Sequence, residues 1–170
     1  MGARVAMRIR PAQDTDIQAF AGIYGHYVRN STATFENDPP DAAAFLQRRA
    51  DVVARGLPWL VAELESGIVA AFAYASPYRA REAYRFTVED SIYVDAACLG
   101  RGIGSALLPR LIESCEQAGA RQMVAIIGGQ ENSASIRLHA KFGFRHVGAL
   151  EAAGYKFGRW IDTILMQRSL

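Results

Sequence analysis

The sequence predicts a mixed α/β protein, one sheet covered by helices, and three observations carry that prediction. Two apolar runs flank Glu65-Ser66-Gly67 early in the chain, which is hairpin chemistry. A strand–helix–strand pattern occupies the second half. Its first strand ends in a glycine-rich turn that opens directly into an apolar-periodic helix. With 170 residues, 51% of them hydrophobic, the chain can bury roughly two-thirds of the surface it exposes when unfolded. We expect a single domain over 7–170, preceded by a short extension over 1–6, with Met7 as an alternative start.

Taken in order, residues 8–10 form a first strand. Asp14 and Thr15 are cap candidates for a helix that puts Ile17, Phe20, Ile23, Tyr24 and Tyr27 on one stripe and ends near Asn30. A loop over 31–40 leads to a second helix, capped by Asp41 and running to Ala54, with Phe45 and Leu46 facing inward. Strands at 59–64 and 68–75 form the hairpin. A polar loop over 76–82 precedes a strand over 84–94. The turn Gly100-Arg101-Gly102-Ile103-Gly104 then opens the helix 103–118, where Pro109 removes one backbone hydrogen bond and predicts a kink. An apolar strand at 122–127, a Gly128-Gly129 break, a helix at 132–142 closed by Gly143, and strands at 145–150 and 160–168 complete the chain.

Composition excludes several functional classes. The 19 basic and 17 acidic residues are scattered, leaving neither the electrostatic footprint of a nucleic-acid binder nor that of a protein held on an anionic membrane. Cys98 and Cys115 form no C-x-x-C, so neither a disulfide framework nor a metal site is expected, and a reducing, cytoplasmic setting is favoured. No apolar window is long enough for a membrane span, and 1–6 is too short for a signal peptide.

The glycine-rich turn aims backbone N–H groups and the positive end of a helix dipole at one point, which suits the phosphate or pyrophosphate of a cofactor. It is not a common nucleotide fingerprint. There is no G-x-x-x-x-G-K-[ST], and Leu107 occupies the third glycine position of G-x-G-x-x-G. In the strand over 84–94, a period of two puts Thr87, Glu89, Ser91 and Tyr93 on one face and Val88, Asp90, Ile92 and Val94 on the other. Glu89 is a candidate proton acceptor; an ordinary surface strand face is the alternative. Asn132, Ser135 and His139 share one helical face, and by themselves they also read as a helix cap and a satisfied core histidine. Arg79 and Arg81 alternate in an extended segment, as a carboxylate clamp or as a solvated charge run.

Residues 91–94, the turn and helix over 100–108, and the block Asn132-x-x-Ser135-x-x-x-His139-x-x-x-Gly143-Phe144 together resemble the GNAT acyl-CoA N-acyltransferase superfamily. Four further stretches are similar to its phosphinothricin N-acetyltransferase branch: the Ser31-Thr32-Ala33-Thr34-Phe35 loop, residues 78–89, Ala125-Ile126-Ile127-Gly128, and the tail over 153–162. The resemblance covers nearly the whole chain from Met7. It implies a central, mostly antiparallel sheet splayed between its fourth and fifth strands, with acetyl-CoA as co-substrate and no metal. It also implies acetylation of the α-amino group of phosphinothricin, methionine sulfoximine or methionine sulfone, and a homodimer whose interface lies close to the pocket.

By the same resemblance, Glu89 is the base and His139 a proton donor to the leaving thiolate. The cofactor is held by Ile92, Tyr93, Val94, Leu99, Gly100, Arg101, Gly102, Ile103, Gly104, Ser105, Asn132 and Ser135. The amine substrate is held by Phe35, Arg79, Arg81, Tyr84, Ser91, Tyr93 and Gly128. Two positions depart from the usual pattern: Leu99 stands where the superfamily usually has Gln or Arg, and His139 where it more often has Tyr. Acetylation of a protein N-terminus or another metabolite amine, and a catalytically silent acyl-CoA sensor, are the alternatives the same scaffold allows.

Overall fold

The structure, a computed structural model, describes residues 6–170; the extension expected over 1–6 lies almost entirely outside them. Seven strands form one sheet: β1 (Met7–Pro11), β2 (Trp59–Leu64), β3 (Val69–Pro77), β4 (Thr87–Val94), β5 (Gln122–Gly128), β6 (Arg145–Lys156) and β7 (Arg159–Ser169), in spatial order β1-β2-β3-β4-β5-β7-β6. Every neighbouring pair is antiparallel except β4–β5. The helices are α1 (Ile17–Asn30), α2 (Ala42–Ala54), α3 (Ile103–Gln117) and α4 (Ser133–Lys141). Among the described residues no helix is long and apolar enough to cross a membrane.

Both faces of the sheet are covered, so the central strands read as continuous apolar runs. Side-chain size divides the two cores. Ala62, Ala71, Ala73 and Ala75 present small side chains on one face, where Leu107, Leu108 and Leu111 of α3 pack. On the other face Trp59, Val61 and Phe72 meet Phe20, Tyr24 and Phe45 of α1 and α2. The Phe20 and Phe72 rings meet at a tilt with centroids 4.7 Å apart.

Several boundaries depart from the sequence reading. Asp14–Asp16 form a 3₁₀ turn before α1, and the capping carboxylate is that of Asp16, which accepts the Gln13 amide at 2.8 Å and pairs with Arg10. Leu46 is exposed because the helical period turns Phe45 and Val52 inward and carries Leu46 outward. β4 starts at Thr87, since residues 82–84 form another 3₁₀ turn that leaves Tyr84 exposed. β6 continues through two register irregularities to Lys156 and turns through Phe157 and Gly158, both at positive φ. That two-residue hairpin turn lacks its usual Asn-Gly signature, which hid it. α3 continues through Pro109.

The parallel ladder between β4 and β5 runs from Thr87↔Gln122 to Asp90↔Ala125 and stops there. Beyond it residues 91–94 remain paired with β3, and 126–128 with β7, but the two strands no longer pair with each other.

Candidate active site

A cavity of about 810 Å³ passes through the sheet where β4 and β5 part. From the α1 side it is lined by Tyr24, Tyr27, Phe35, Glu89, Ser91 and Tyr93. From the α3 side it is lined by Leu99, Gly100, Gly102, Ile103, Gly104, Ser105, Asn132, Ser135 and His139. Ile92, Val94 and Gly128 also face it. The splay therefore opens both cores into one space, and the alternation along β4 decides which side chain enters from which face.

At the α3 end, Gly100 and Gly102 take φ values of 74° and 79°, the left-handed region that favours glycine. Gly102 precedes Ile103 as the cap of α3, so the amides of residues 103–105 lie before the first intrahelical bond, which Ala106 donates to the Gly102 carbonyl. Arg101 is exposed and does not line the cavity, contrary to the expectation that it grips the phosphate. Its neighbours turn the backbone inward and its own side chain outward. The cations that do line this end are Arg137 and Lys141 of α4, which the pattern analysis missed; their spacing of four on one helix was the available signal.

On the opposite side, Glu89 is half-buried and its carboxylate has no hydrogen-bonded partner among the described residues. Burial raises its pKa above the ordinary carboxylate value, the neighbouring Asp90 charge adds to that, and Arg79 opposes it. Tyr93 packs edge-on against Tyr24 at 4.9 Å, and the Tyr27 hydroxyl donates to the Val94 carbonyl at 2.5 Å.

His139 departs from its expected role. It is 2% exposed, its Nδ1 lies 2.7 Å from the Ser135 carbonyl, and its Nε2 lies 2.9 Å from Asp90 Oδ2, so both ring nitrogens already serve protein acceptors. Neither is left to protonate a thiolate in the cavity. Burial works against the imidazolium, but Asp90 and the Ser135 carbonyl outweigh it and the pKa rises. Asn132 stands at the N-cap position of α4, but its side chain caps no amide: it donates to Thr32 Oγ1 at 3.0 Å and to the Gly128 carbonyl, tying α4 to the 31–35 loop. Arg79, Arg81 and Tyr84 are exposed and do not line the cavity. The Arg79 guanidinium lies 5.0 Å from the Tyr78 ring, and that ring meets Tyr84 edge-on. The reason is the late start of β4, which leaves this segment outside the sheet.

No group of side chains among the described residues could hold a metal ion. The unpaired edges of β4 and β5 and the glycine cradle at α3 fit an extended, phosphorylated, amide-bearing molecule such as acetyl-CoA.

Residues 20–144 match the family described as Acetyltransferase (GNAT) family. The chain is 49% identical over 168 residues to the phosphinothricin N-acetyltransferase of Alcaligenes faecalis, covering 99% of this chain and 85% of that one. It is 39% identical to the L-methionine sulfoximine/L-methionine sulfone acetyltransferase of Salmonella typhimurium, over 96% of this chain and 95% of that one. Among solved structures it superposes with a TM-score of 0.93 on a GNAT superfamily phosphinothricin acetyltransferase from Sinorhizobium meliloti in complex with AcCoA. That match has 44% identity and covers 97% of this chain and 89% of that one.

Proposed function

Since the chain belongs to the acetyltransferase (GNAT) family, we propose that it transfers an acetyl group from acetyl-CoA to the α-amino group of a small amino-acid analogue of the phosphinothricin, methionine sulfoximine or methionine sulfone type. The observation that carries this reading is the cavity through the splay. It sets an unpaired carboxylate, Glu89, on one side of the sheet and a backbone anion cradle on the other.

An ammonium must lose a proton before it can attack a thioester carbonyl, and Glu89 is the group placed to take it, directly or through one water. Its raised pKa brings its basicity closer to the working pH than an exposed carboxylate's would be. The cradle of residues 100–105 takes the phosphates, with Arg137 and Lys141 adding charge. The free edge of β4 over 91–94 accepts the extended arm as an added strand, and an amide there polarises the thioester carbonyl. Acetyl-CoA supplies the activated acyl group: the new C–N bond forms as the C–S bond breaks, and the proton shed by the attacking nitrogen leaves with the CoA thiol. His139 is kept for holding β4 to α4.

Phe35, Ser91, Tyr93 and Gly128 wall the acceptor side, and the exposed Arg79 and Arg81 with Tyr84 guide a carboxylate or phosphinate from the rim. Acetylated phosphinothricin has no free α-amine, so this activity amounts to herbicide resistance for the cell that holds it. A second copy of the chain completes the rim. The exposed Leu150, Tyr155, Phe157 and Trp160 on the β6–β7 hairpin supply apolar surface for a homodimer, and Trp160→Arg should shift sedimentation to that of a monomer. The buried free cysteines Cys98 and Cys115 accord with the reducing cytoplasm.

The test is thiol release from acetyl-CoA across methionine sulfone, methionine sulfoximine, phosphinothricin and a peptide amine. Turnover with the three analogues and little with the peptide supports the reading. Turnover with the peptide alone transfers the activity to a protein N-terminus, and binding without turnover makes the chain a sensor.

A further inference from the structure

Two segments distant in sequence meet beside the cavity: the 31–35 loop, whose Phe35 walls the acceptor side, and the tail of β6, which the chemistry above does not use. Lys156 is only 3% exposed, and its Nζ donates to the carbonyls of Ser31 at 2.8 Å and Thr34 at 2.7 Å. The ammonium makes no ion pair among the described residues, and burial lowers its pKa while the more distant Glu36 opposes that change. A buried cation is costly unless its donors are met, and here backbone carbonyls of a single loop meet two of them.

The same loop is seated from a second side. The ring of Phe35 rests where side chains on Gly128 or Gly154 would stand: a Cβ at Gly128 would come within 2.8 Å of it, and one at Gly154 closer still. Thr32 Oγ1 donates to the Gly128 carbonyl at 2.9 Å. Residues 32–35 all face the cavity that Glu89 faces, so the distal hairpin fixes the wall of that cavity together with α1, whose Tyr24 hydroxyl lies 2.6 Å from Thr34 Oγ1.

We propose that Lys156 is a positioning residue for the amine acceptor: by pinning the Ser31 and Thr34 carbonyls it holds Phe35 on the Gly128 and Gly154 cradle and sets the KM for that substrate. The inference rests on the reading of this cavity as the acetyl-transfer site. Its consequence is a split in kinetic constants, because the loop forms the acceptor wall while the phosphate cradle lies on the other side of the sheet.

The experiment compares the parent with Lys156→Met, Lys156→Arg and Gly154→Ala. It varies whichever amine of the panel the parent acetylates, at saturating acetyl-CoA, and measures acetyl-CoA affinity by calorimetry. Lys156→Met and Gly154→Ala are expected to raise the acceptor KM roughly tenfold, with kcat and the acetyl-CoA Kd held within about twofold, and Lys156→Arg to restore much of the loss. A merely structural role would lower the active fraction, and with it the apparent kcat, at unchanged KM; that result overturns the proposal. If Lys156→Met does not fold, Gly154→Ala decides, since an unchanged KM there removes the Phe35 seat. A parent that acetylates no amine overturns the functional reading and this inference with it, whereas an active parent with unmoved variants overturns this inference alone.

Discussion

The Nε2 of His139 lies 2.9 Å from Oδ2 of Asp90, and both side chains are almost fully enclosed. The Ser135 carbonyl can only accept, so Nδ1 donates to it, which turns Nε2 to the Asp90 carboxylate. The pair joins β4 to α4, the strand of the proposed base to a helix of the cofactor side. Removing one partner of a buried pair typically costs about 3–5 kcal/mol, so Asp90→Ala should lose stability on that scale in urea unfolding. Loss within the range of an ordinary surface substitution would show that the pair holds nothing.

The pair also has a pH signature. The pKa of His139 is raised in the folded protein. Its contribution is therefore fully present below the unfolded value of about 6.5 and is lost as pH rises through the folded value. Unfolding free energies of the parent and of the double variant Asp90→Asn/His139→Phe, which leaves no lone buried carboxylate, compared between mildly acidic and alkaline pH, should converge as pH rises. A gap that widens instead contradicts the charge assignment.

Glu89→Gln keeps the shape of the side chain but cannot accept a proton. The kcat at neutral pH should fall by about 10²–10⁴-fold with acetyl-CoA affinity unchanged, and the deficit should narrow at alkaline pH, where more amine arrives deprotonated. In the parent, the acid limb of kcat/KM should lie above the ordinary glutamate value, because burial raises the Glu89 pKa and the base is lost as pH falls through it. An acid limb at the ordinary value would separate Glu89 from the rate.

Gly102→Ala places a Cβ at φ 79°, which costs about 1–2 kcal/mol and strains the cap of α3. Cofactor affinity should fall with it, since the amides of 103–105 lose their aim. Calorimetry showing full affinity in a folded variant would move the phosphates elsewhere.

Arg81→Ala should raise the acceptor KM for substrates that carry a carboxylate and leave carboxylate-free amines nearly unaffected. Equal effects on both classes would reduce Arg81 to surface charge.

What the sequence made legible follows from local rules. The period of two in β4 separated Glu89, Ser91 and Tyr93 from Asp90 and Ile92, and the structure keeps those faces apart on the two cores. Gly102 and the apolar stripe of α3 stood out because turn and helix chemistry are written within a few residues. The partners of His139 and Lys156 were not legible, since Asp90 and Ser31 are brought to them by the packing of whole elements. Arg79 and Arg81 show the limit from the other side: their alternation was readable, but a late-starting strand leaves them exposed and out of the cavity lining, and only tertiary context decides that.

The short ladder between β4 and β5 has a mechanical meaning. Among the described residues it is the only stretch of strand pairing between two blocks, β1 to β4 and β5 to β7, and it spans four residue pairs. The seam between the blocks is closed at one end, and an extended molecule laid along the open end lengthens it. Occupancy then acts as a brace as well as a supply of acyl groups: at a hundredfold excess over its Kd a ligand adds about 2.7 kcal/mol to the folded state. Amides on both sides of the seam should exchange more slowly together when it is braced, so that the two blocks open as one unit.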